Sequence, residues 1–231
     1  MSPDNHIEKH FTASLVVRDI IIGMSDGLTV PFALAAGLSG AFAHSTIIIT
    51  AGLAEIAAGS ISMGIGGYLA AKNEIDHYYS ERQREVDEVK NMPEKEREEV
   101  AEIFEDYGLK KEETTLILDA FEKNPKGWVD FMMRNELHLE EPDKNRAAKS
   151  STTIACAYII GGIIPLSPYI LIDDPHRAFL LSILCTSLAL LIFGYTKAKL
   201  IGSRPIVGAL RTTTIGGLAA AAAYFVAKLI A

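Results

Sequence analysis

The sequence predicts an all-α integral membrane protein, with five transmembrane helices and a cytoplasmic helical metal-binding insert between helices two and three. Two observations lead to this fold class. Charge is segregated, because residues 72–149 hold 22 of the 29 acidic and 14 of the 22 basic side chains. The remainder is mostly apolar and contains runs of about 20 residues, the length that a helix needs to cross a bilayer.

Three apolar runs are clear candidate spans. Residues 154–172 and 178–196 contain no charged residue, and residues 205–227 contain only Arg211. Residues 15–71 form a region too long for one span, and small and polar residues at 37–45 divide it into helices of about 14–39 and 46–72. The predicted organisation is a tail at 1–13, two spans within 14–72, the insert at 73–149 and three spans within 150–231.

Lysine and arginine near the span ends predict the orientation. They collect before span one, at both ends of the insert, and between spans four and five. These residues are Lys9, Arg18, Lys72, Lys149, Lys197, Lys199 and Arg204. We therefore expect the N-terminus and the insert to be cytoplasmic and the C-terminus to lie on the opposite, lumenal side.

The insert itself is predicted to be helical. Span two continues to about residue 90, and further helices are expected from Glu94 to Gly108, from Lys110 to Asn124 and from Trp128 to Leu139. Apolar side chains recur at helical spacing in two of them. They are Val100, Ile103, Phe104 and Tyr107, and then Leu116, Ile117, Ala120 and Phe121. These stripes indicate a small folded subdomain.

Three carboxylates fall within the first two predicted spans, and we expect Asp19 to lie at the membrane surface with Arg18. Asp26 and Glu55 lie deeper, where a charge costs about 2.5 to 3.5 kcal/mol on insertion scales. Counted at about 1.5 Å per residue from the turn at 42–43, Glu55 lies roughly 19 Å, Asp26 roughly 25 Å and Met63 roughly 31 Å along the helices. Acids at similar depth on adjacent helices, with a thioether nearby, suit a cation or proton pathway. The alternative is that both are structural acids, protonated or hydrogen-bonded to a neighbouring helix.

Small residues repeat beside these acids. Gly23 and Gly27 form a GxxxG pattern in span one, and Ala54, Ala58, Ser62 and Gly66 recur at every fourth position of span two. Such faces allow helices to approach closely in membranes. We expect both faces to form a two-fold interface between copies of the chain.

Glutamates share helix faces in the insert. Glu81, Glu85 and Glu88 lie on one face, and Glu96 and Glu99 on another. Glu136 follows Met132 and Met133 within one turn. Carboxylates with a soft sulfur suit transition ions such as iron(II) or manganese(II). The alternatives are a solvated acidic face and methionines that pack in a core with Trp128 and Phe131.

Composition argues against several other functions. A net charge of −7 disfavours nucleic-acid binding. The sequence contains no P-loop, dinucleotide fingerprint or zinc-type Cys/His spacing, so we expect no enzyme, prosthetic group or ATP-driven pump. No cleaved signal peptide is predicted, and Cys156 and Cys185 fall within apolar runs, where a disulfide framework is not expected.

Three segments resemble the vacuolar iron transporters of plants and their yeast and protozoan relatives. They are Asp-Gly-Leu-Thr-Val-Pro-Phe at 26–32, Ala-Glu-Ile-Ala-Ala-Gly-Ser-Ile-Ser-Met-Gly at 54–64, and the glutamate-rich insert. The resemblance covers essentially the whole chain, whose N-terminal tail is short. It implies a homodimer in the vacuolar membrane that exchanges cytosolic iron(II), and also manganese(II), for lumenal protons. Zinc(II) and cobalt(II) are further candidate ions.

The resemblance also implies roles for individual residues. Asp26, Glu55 and Met63 fall at transport-path positions. The metal-binding positions of the insert are Glu85, Glu88, Glu96, Glu99, Met132, Met133 and Glu136. A membrane-anchored metal buffer or sensor and an uncoupled divalent cation channel are the alternatives. A buffer has no need of Asp26 and Glu55, whereas sequence does not distinguish a channel from an exchanger.

Overall fold

The computed structural model describes residues 15–41 and 44–230, and the regular structure within these ranges is entirely helical. The all-α prediction is thereby confirmed for these residues. The predicted tail at 1–13 and positions 42 and 43 of the first turn lie outside them. The helices are α1 (Leu15–Ala41), α2 (Ser45–Asn91), α3 (Pro93–Asp106), α4 (Lys111–Glu122), α5 (Pro125–Asn135), α6 (Arg146–Leu171), α7 (Pro175–Leu200) and α8 (Pro205–Ile230).

Five helices are long and apolar enough to cross a membrane, namely α1, α2, α6, α7 and α8. All except α2 have 26 or 27 residues. At about 1.5 Å per residue this length is about 39 Å, which exceeds a hydrocarbon core of roughly 30 Å. The five predicted spans are therefore confirmed as membrane-spanning candidates.

Contacts between residues divide the chain into two compact units. Residues up to Tyr68 and from Ala147 onward form one, which we call the spanning unit. Leu69–Arg146 form the other, which we call the acidic unit. Helix α2 has 47 residues and contributes to both.

Glycine allows α6 to approach α1 closely in the spanning unit. A Cβ atom at Gly23 would meet the Ile154 carbonyl, and one at Gly27 would meet the Tyr158 carbonyl. From the other side, a Cβ atom at Gly161 would lie 2.9 Å from the Leu28 nitrogen. Helices α7 and α8 pack against α1 and against each other. The GxxxG pattern therefore joins two helices of one chain.

This packing corrects one expectation about the two-fold interface. Gly23 and Gly27 are buried against α6, so they cannot also face a second copy of the chain. The small residues of α2 behave differently. Ala54, Ala58, Ser62 and Gly66 are all exposed, and a Cβ atom at Gly66 would meet nothing within 4 Å.

Helix α6 continues through two prolines, Pro165 and Pro168. A proline has no N–H, so each leaves a carbonyl of the preceding turn without its helical partner. Ser167 Oγ donates to the Ile164 carbonyl at 2.9 Å, which is the carbonyl that Pro168 cannot serve. Ser182 of α7 also donates to the Pro165 carbonyl at 2.7 Å. The Ser167 hydroxyl thus replaces the backbone donor that Pro168 lacks, as expected of prolines in membrane helices, and the Ser182 bond links α7 to α6.

The acidic unit has its own apolar core. α3 packs against α4, and α4 against α5. The buried members of the core are Tyr78, Val89, Val100, Ala101, Leu118, Trp128, Val129, Met132 and Met133. The prediction of a folded subdomain rather than a linker agrees with this core.

Two details of the predicted insert are wrong. Tyr107 is exposed directly after the end of α3. Leu116 is exposed because α4 buries the face of Thr114 and Leu118, and a search for apolar residues alone misses Thr114. The helix expected from Trp128 begins earlier, at Pro125, since Asn124 caps it by accepting a hydrogen bond from the Gly127 N–H at 3.1 Å. It ends at Asn135, before His138, whose φ is 55°.

We predict that Gly27→Ala destabilises the spanning unit. The added methyl group meets the Tyr158 carbonyl, which belongs to helix backbone and cannot move away cheaply. Overpacking of this kind costs about 1 to 3 kcal/mol. The thermal midpoint of the protein in detergent should fall by several degrees. Gly217→Ala on α8 is the matched control, since its methyl group meets nothing within 4 Å. An equal thermal midpoint for both variants would contradict the close α1–α6 contact.

Candidate functional site

The three predicted transport-path residues lie on partly exposed faces of α1 and α2. Asp26, Glu55 and Met63 are each neither fully buried nor fully exposed. Asp26 lies one turn from Ile22 and from Val30, which are exposed. The carboxylate of α1 is therefore at the edge of an apolar outer face, where solvation by water is not expected inside a bilayer.

One side chain of α6, Tyr158, contacts the Glu55 carboxylate. The Tyr158 hydroxyl donates a hydrogen bond to Glu55 Oε1. Asp26 directly precedes Gly27, where a Cβ atom would meet the Tyr158 carbonyl. The second Glu55 oxygen, Oε2, is buried and has no hydrogen-bond partner within the described part of the chain. Glu55 thus has one oxygen held by Tyr158 and one oxygen free to accept a cation or a proton.

Two glycines position Tyr158. Gly27 follows Asp26 on α1 and contacts the Tyr158 carbonyl, and Gly59 lies one turn after Glu55 on α2. A Cβ atom at Gly59 would meet the hydroxyl end of the Tyr158 ring. The small residues next to each acid therefore make room for the tyrosine that binds Glu55.

Glu55 and Met63 border the exposed small-residue stripe of α2. Ala54, Ala58, Ser62 and Gly66 form this stripe, and Glu55, Gly59 and Met63 follow the helix beside it at every fourth position. A helix from a second molecule that covered the stripe would also enclose the acids.

In the acidic unit, five predicted metal-binding glutamates are close enough to act electrostatically on one another. Glu85 and Glu88 come from α2, Glu96 and Glu99 from α3, and Glu136 directly follows α5. We call them the five-glutamate cluster. Helical spacing explains the pairs on α2 and α3, and folding adds the fifth member.

Glu96 is the most perturbed member of the cluster. Its side chain is fully buried, and both of its carboxylate oxygens lack a hydrogen-bond partner within the described residues. Burial and the neighbouring carboxylates, with Glu99 first among them, raise the pKa of Glu96 to about 7. An unpartnered buried carboxylate among other carboxylates is a strong acceptor for a cation or a proton.

Burial is also the main cause of the raised pKa values of Glu85 and Glu136. Glu136 and Glu88 add to the effect at Glu85, and Glu99 adds to it at Glu136. Two cations partly oppose this repulsion. Arg84 lies 3.6 Å from both Glu85 Oε1 and Glu88 Oε2, and the Lys95 ammonium lies 2.8 Å from Glu99 Oε1. The cluster retains an excess of negative charge.

The five-glutamate cluster does not form a complete coordination shell for a metal ion. Within residues 15–41 and 44–230, no three Asp, Glu, His or Cys side chains are placed so that they could hold a metal ion together. Repulsion between carboxylates with no cation between them favours such a separation. Rotation of the side chains would be needed to close a shell around an ion.

Both methionines of the predicted metal site belong to the apolar core. Met132 and Met133 are almost completely buried, in the same cluster as Trp128. The core interpretation is therefore confirmed for both, whereas metal coordination stays a prediction. Met132 lies one turn before Glu136, and its carbonyl accepts from the Glu136 N–H at 3.0 Å. Met133 instead lines a cavity of about 320 Å³.

Sequence reasoning missed Tyr158. It occurs within an apolar run, where an aromatic residue is unremarkable. The available signal was its place directly after the small residues of span three, with a polar hydroxyl at a depth that offers no water. Such a hydroxyl needs a partner, and the acids of the first two spans were the available ones.

Several known proteins resemble this chain over most of its length. The model of the VIT family matches residues 17–228. Vacuolar iron transporter 1 of Arabidopsis thaliana is 57% identical over 98% of this chain and 91% of its own length. Vacuolar iron transporter 2 of Oryza sativa subsp. japonica is 55% identical over 98% and 92%. Protein CCC1 of Saccharomyces cerevisiae is 38% identical over 93% and 69%. On this evidence the chain belongs to the VIT family.

Proposed function

We propose that the protein carries iron(II) across the vacuolar membrane, from the cytosol into the lumen, in exchange for protons. The observation that carries this proposal is the Glu55 carboxylate within apolar helices, with one oxygen bound by Tyr158 and the other buried without a partner among the described residues. Ionisable side chains in membrane helices are costly and typically mark ion or proton pathways. The names of the plant relatives support iron as the ion and the vacuole as the compartment.

Exchange follows from the chemistry of a carboxylate. The free Glu55 oxygen binds either a metal ion or a proton, so the two compete for one site. On the cytosolic side, where protons are scarce, the metal binds. On the acidic lumenal side, protons displace it. A proton gradient supplies about 1.4 kcal/mol per proton for each pH unit.

The acidic unit collects the ion in this proposal. The excess of carboxylates in the five-glutamate cluster concentrates divalent cations, and the unpartnered oxygens of Glu96 are the first acceptors. Met132 and Met133 would provide the soft sulfur that favours iron(II) or manganese(II), followed by zinc(II) and cobalt(II). Met132 is the better placed of the two because it precedes Glu136 by one turn. The ion then passes to Met63 and Asp26, and Glu55 exchanges it for a proton.

We also propose that two copies associate through the exposed stripe of α2. Ala54, Ala58, Ser62 and Gly66 offer a surface without large side chains, which suits close contact between membrane helices. Contact there would bring the Glu55 residues of both copies to the edge of one interface. The N-terminus and the acidic unit are placed in the cytosol and the C-terminus in the lumen, as the lysine and arginine distribution indicates.

Substitution of either membrane carboxylate should abolish transport. Asp26→Asn and Glu55→Gln retain the shape of the side chain but remove a ligand that also takes up a proton. We expect iron(II) uptake into proteoliposomes to fall at least about a hundredfold, since loss of a charged ligand is worth a few kcal/mol. Asp173→Asn, in the exposed turn before α7, is the control that should retain uptake. Uptake by Asp26→Asn or Glu55→Gln at the wild-type rate would remove that residue from the path.

A bulky side chain on the α2 stripe should weaken the dimer. Ala58→Leu places a branched side chain where two helices are proposed to touch, so the fraction of dimer in detergent should fall. Ala222→Leu makes the same change at an exposed position of α8 and should have no effect. Light scattering coupled to size exclusion measures the mass of each variant. An unchanged dimer in Ala58→Leu would argue that the interface lies on another face.

Glu96→Gln should stabilise the metal-free acidic unit. With its pKa raised to about 7, folded Glu96 holds a proton that an ordinary glutamate releases near 4.5. Folding therefore takes up a proton, and stability falls as pH rises from 4.5 through 7. At pH 7.5 the cost is about 3 kcal/mol, and glutamine removes it. The gain should shrink toward pH 5.

The single tryptophan, Trp128, lies in the core of the acidic unit, so its fluorescence follows the unfolding of this unit in the full chain. Manganese(II) should raise the unfolding temperature of the wild type at pH 7.5. This increase should become smaller as the pH falls below 7, and it should be absent in Glu96→Gln. Glu98→Gln is the matched control, because Glu98 is exposed on the same helix. Equal stabilisation by manganese(II) in Glu96→Gln and the wild type would show that Glu96 is not a ligand.

A further inference from the structure

We propose that Tyr158 is a positioning residue of the transport path, which engages one oxygen of Glu55 and so favours binding of the ion through the other oxygen alone. This inference rests on the proposed function and assigns a role to a side chain outside the predicted site. Its basis is the pair of observations on Glu55. Oε1 accepts the Tyr158 hydroxyl, and Oε2 is buried without a partner within the described ranges.

The tyrosine is held firmly enough for this role. It is 2% exposed, its carbonyl contacts Gly27 of α1, and its ring contacts Gly59 of α2. Both contacts are too close to admit a Cβ atom on either glycine. Three helices thus fix the hydroxyl, and the hydroxyl fixes Glu55.

Restricting a carboxylate to one oxygen changes how tightly it holds a cation. A free carboxylate can bind through both oxygens, as it often does with larger ions such as calcium(II). A transport site must bind its ion and also release it, so a tighter site turns over more slowly. The Tyr158 hydroxyl therefore keeps the site weak enough to empty and disfavours ions that need two oxygens from one side chain.

Tyr158→Phe should lower KM and Vmax for iron(II) together, each by about tenfold, the size of effect expected from one hydrogen bond. It should also make iron(II) uptake sensitive to competition by calcium(II), which the wild type resists. A merely structural role would lower Vmax through loss of active protein and leave KM unchanged.

Two further variants make the test specific. Gly59→Ala pushes a methyl group against the hydroxyl end of the Tyr158 ring, so it should reproduce the Tyr158→Phe kinetics from another helix. Tyr169→Phe is the matched control. Tyr169 is equally buried on α6, but its hydroxyl shares a hydrogen bond of 2.8 Å with Ser39 rather than with an acid. Its KM should equal that of the wild type.

The measurement is initial iron(II) uptake by the full chain in proteoliposomes with an acidic interior, over a range of iron(II) and calcium(II) concentrations. A joint fall of KM and Vmax in Tyr158→Phe and Gly59→Ala, with new calcium(II) sensitivity, is the expected result. An unchanged or raised KM in Tyr158→Phe would overturn the role of Tyr158. Absence of uptake by the wild type would instead contradict the proposed function.

Discussion

The hydrogen bond from Tyr158 to Glu55 is the interaction on which the spanning unit depends. A carboxylate in an apolar helix is costly unless a donor meets it, and the bilayer core supplies no water. The donor must come from another helix, and its ring must lie close to α2. Glycine at positions 27 and 59 permits this approach, so the small residues near the acids serve the polar contact as much as the packing of helices.

The acidic unit also buries a carboxylate, but there no hydrogen-bond donor among the described residues offsets the cost of burial. There the buried carboxylate, Glu96, has no donor within the described residues, and its neighbours carry the same charge. Other interactions of the unit must offset the cost of burying it, and these include the apolar core around Trp128 and the ion pairs of Arg84 with Glu85 and of Lys95 with Glu99. One oxygen of Glu55 thus has a neutral donor, whereas both oxygens of Glu96 lack one within the described residues.

Much of the fold could be predicted from the sequence, because span length and helical periodicity are local properties. The five candidate spans and the helical insert follow from them. The identity of the helix that packs against a given face is not a local property of the sequence. The pattern of Gly23 and Gly27 indicates a close helix contact but does not say which helix makes it, and α6 of the same chain does. For the same reason Tyr158 was missed, since its acid partner lies 103 residues away in the sequence. Leu116 was misplaced because Thr114, a polar residue, occupies the buried face of α4.

Simultaneous recording of iron(II) and protons tests proton coupling most directly. Purified protein in liposomes that contain a pH-sensitive dye would receive iron(II) outside, with the interior either acidic or at the external pH. We expect faster iron(II) uptake into acidic liposomes, together with a rise of the internal pH that requires both iron(II) and the protein. Iron(II) uptake at the same rate with and without the pH difference, with no change of the internal pH, would contradict exchange and indicate a channel.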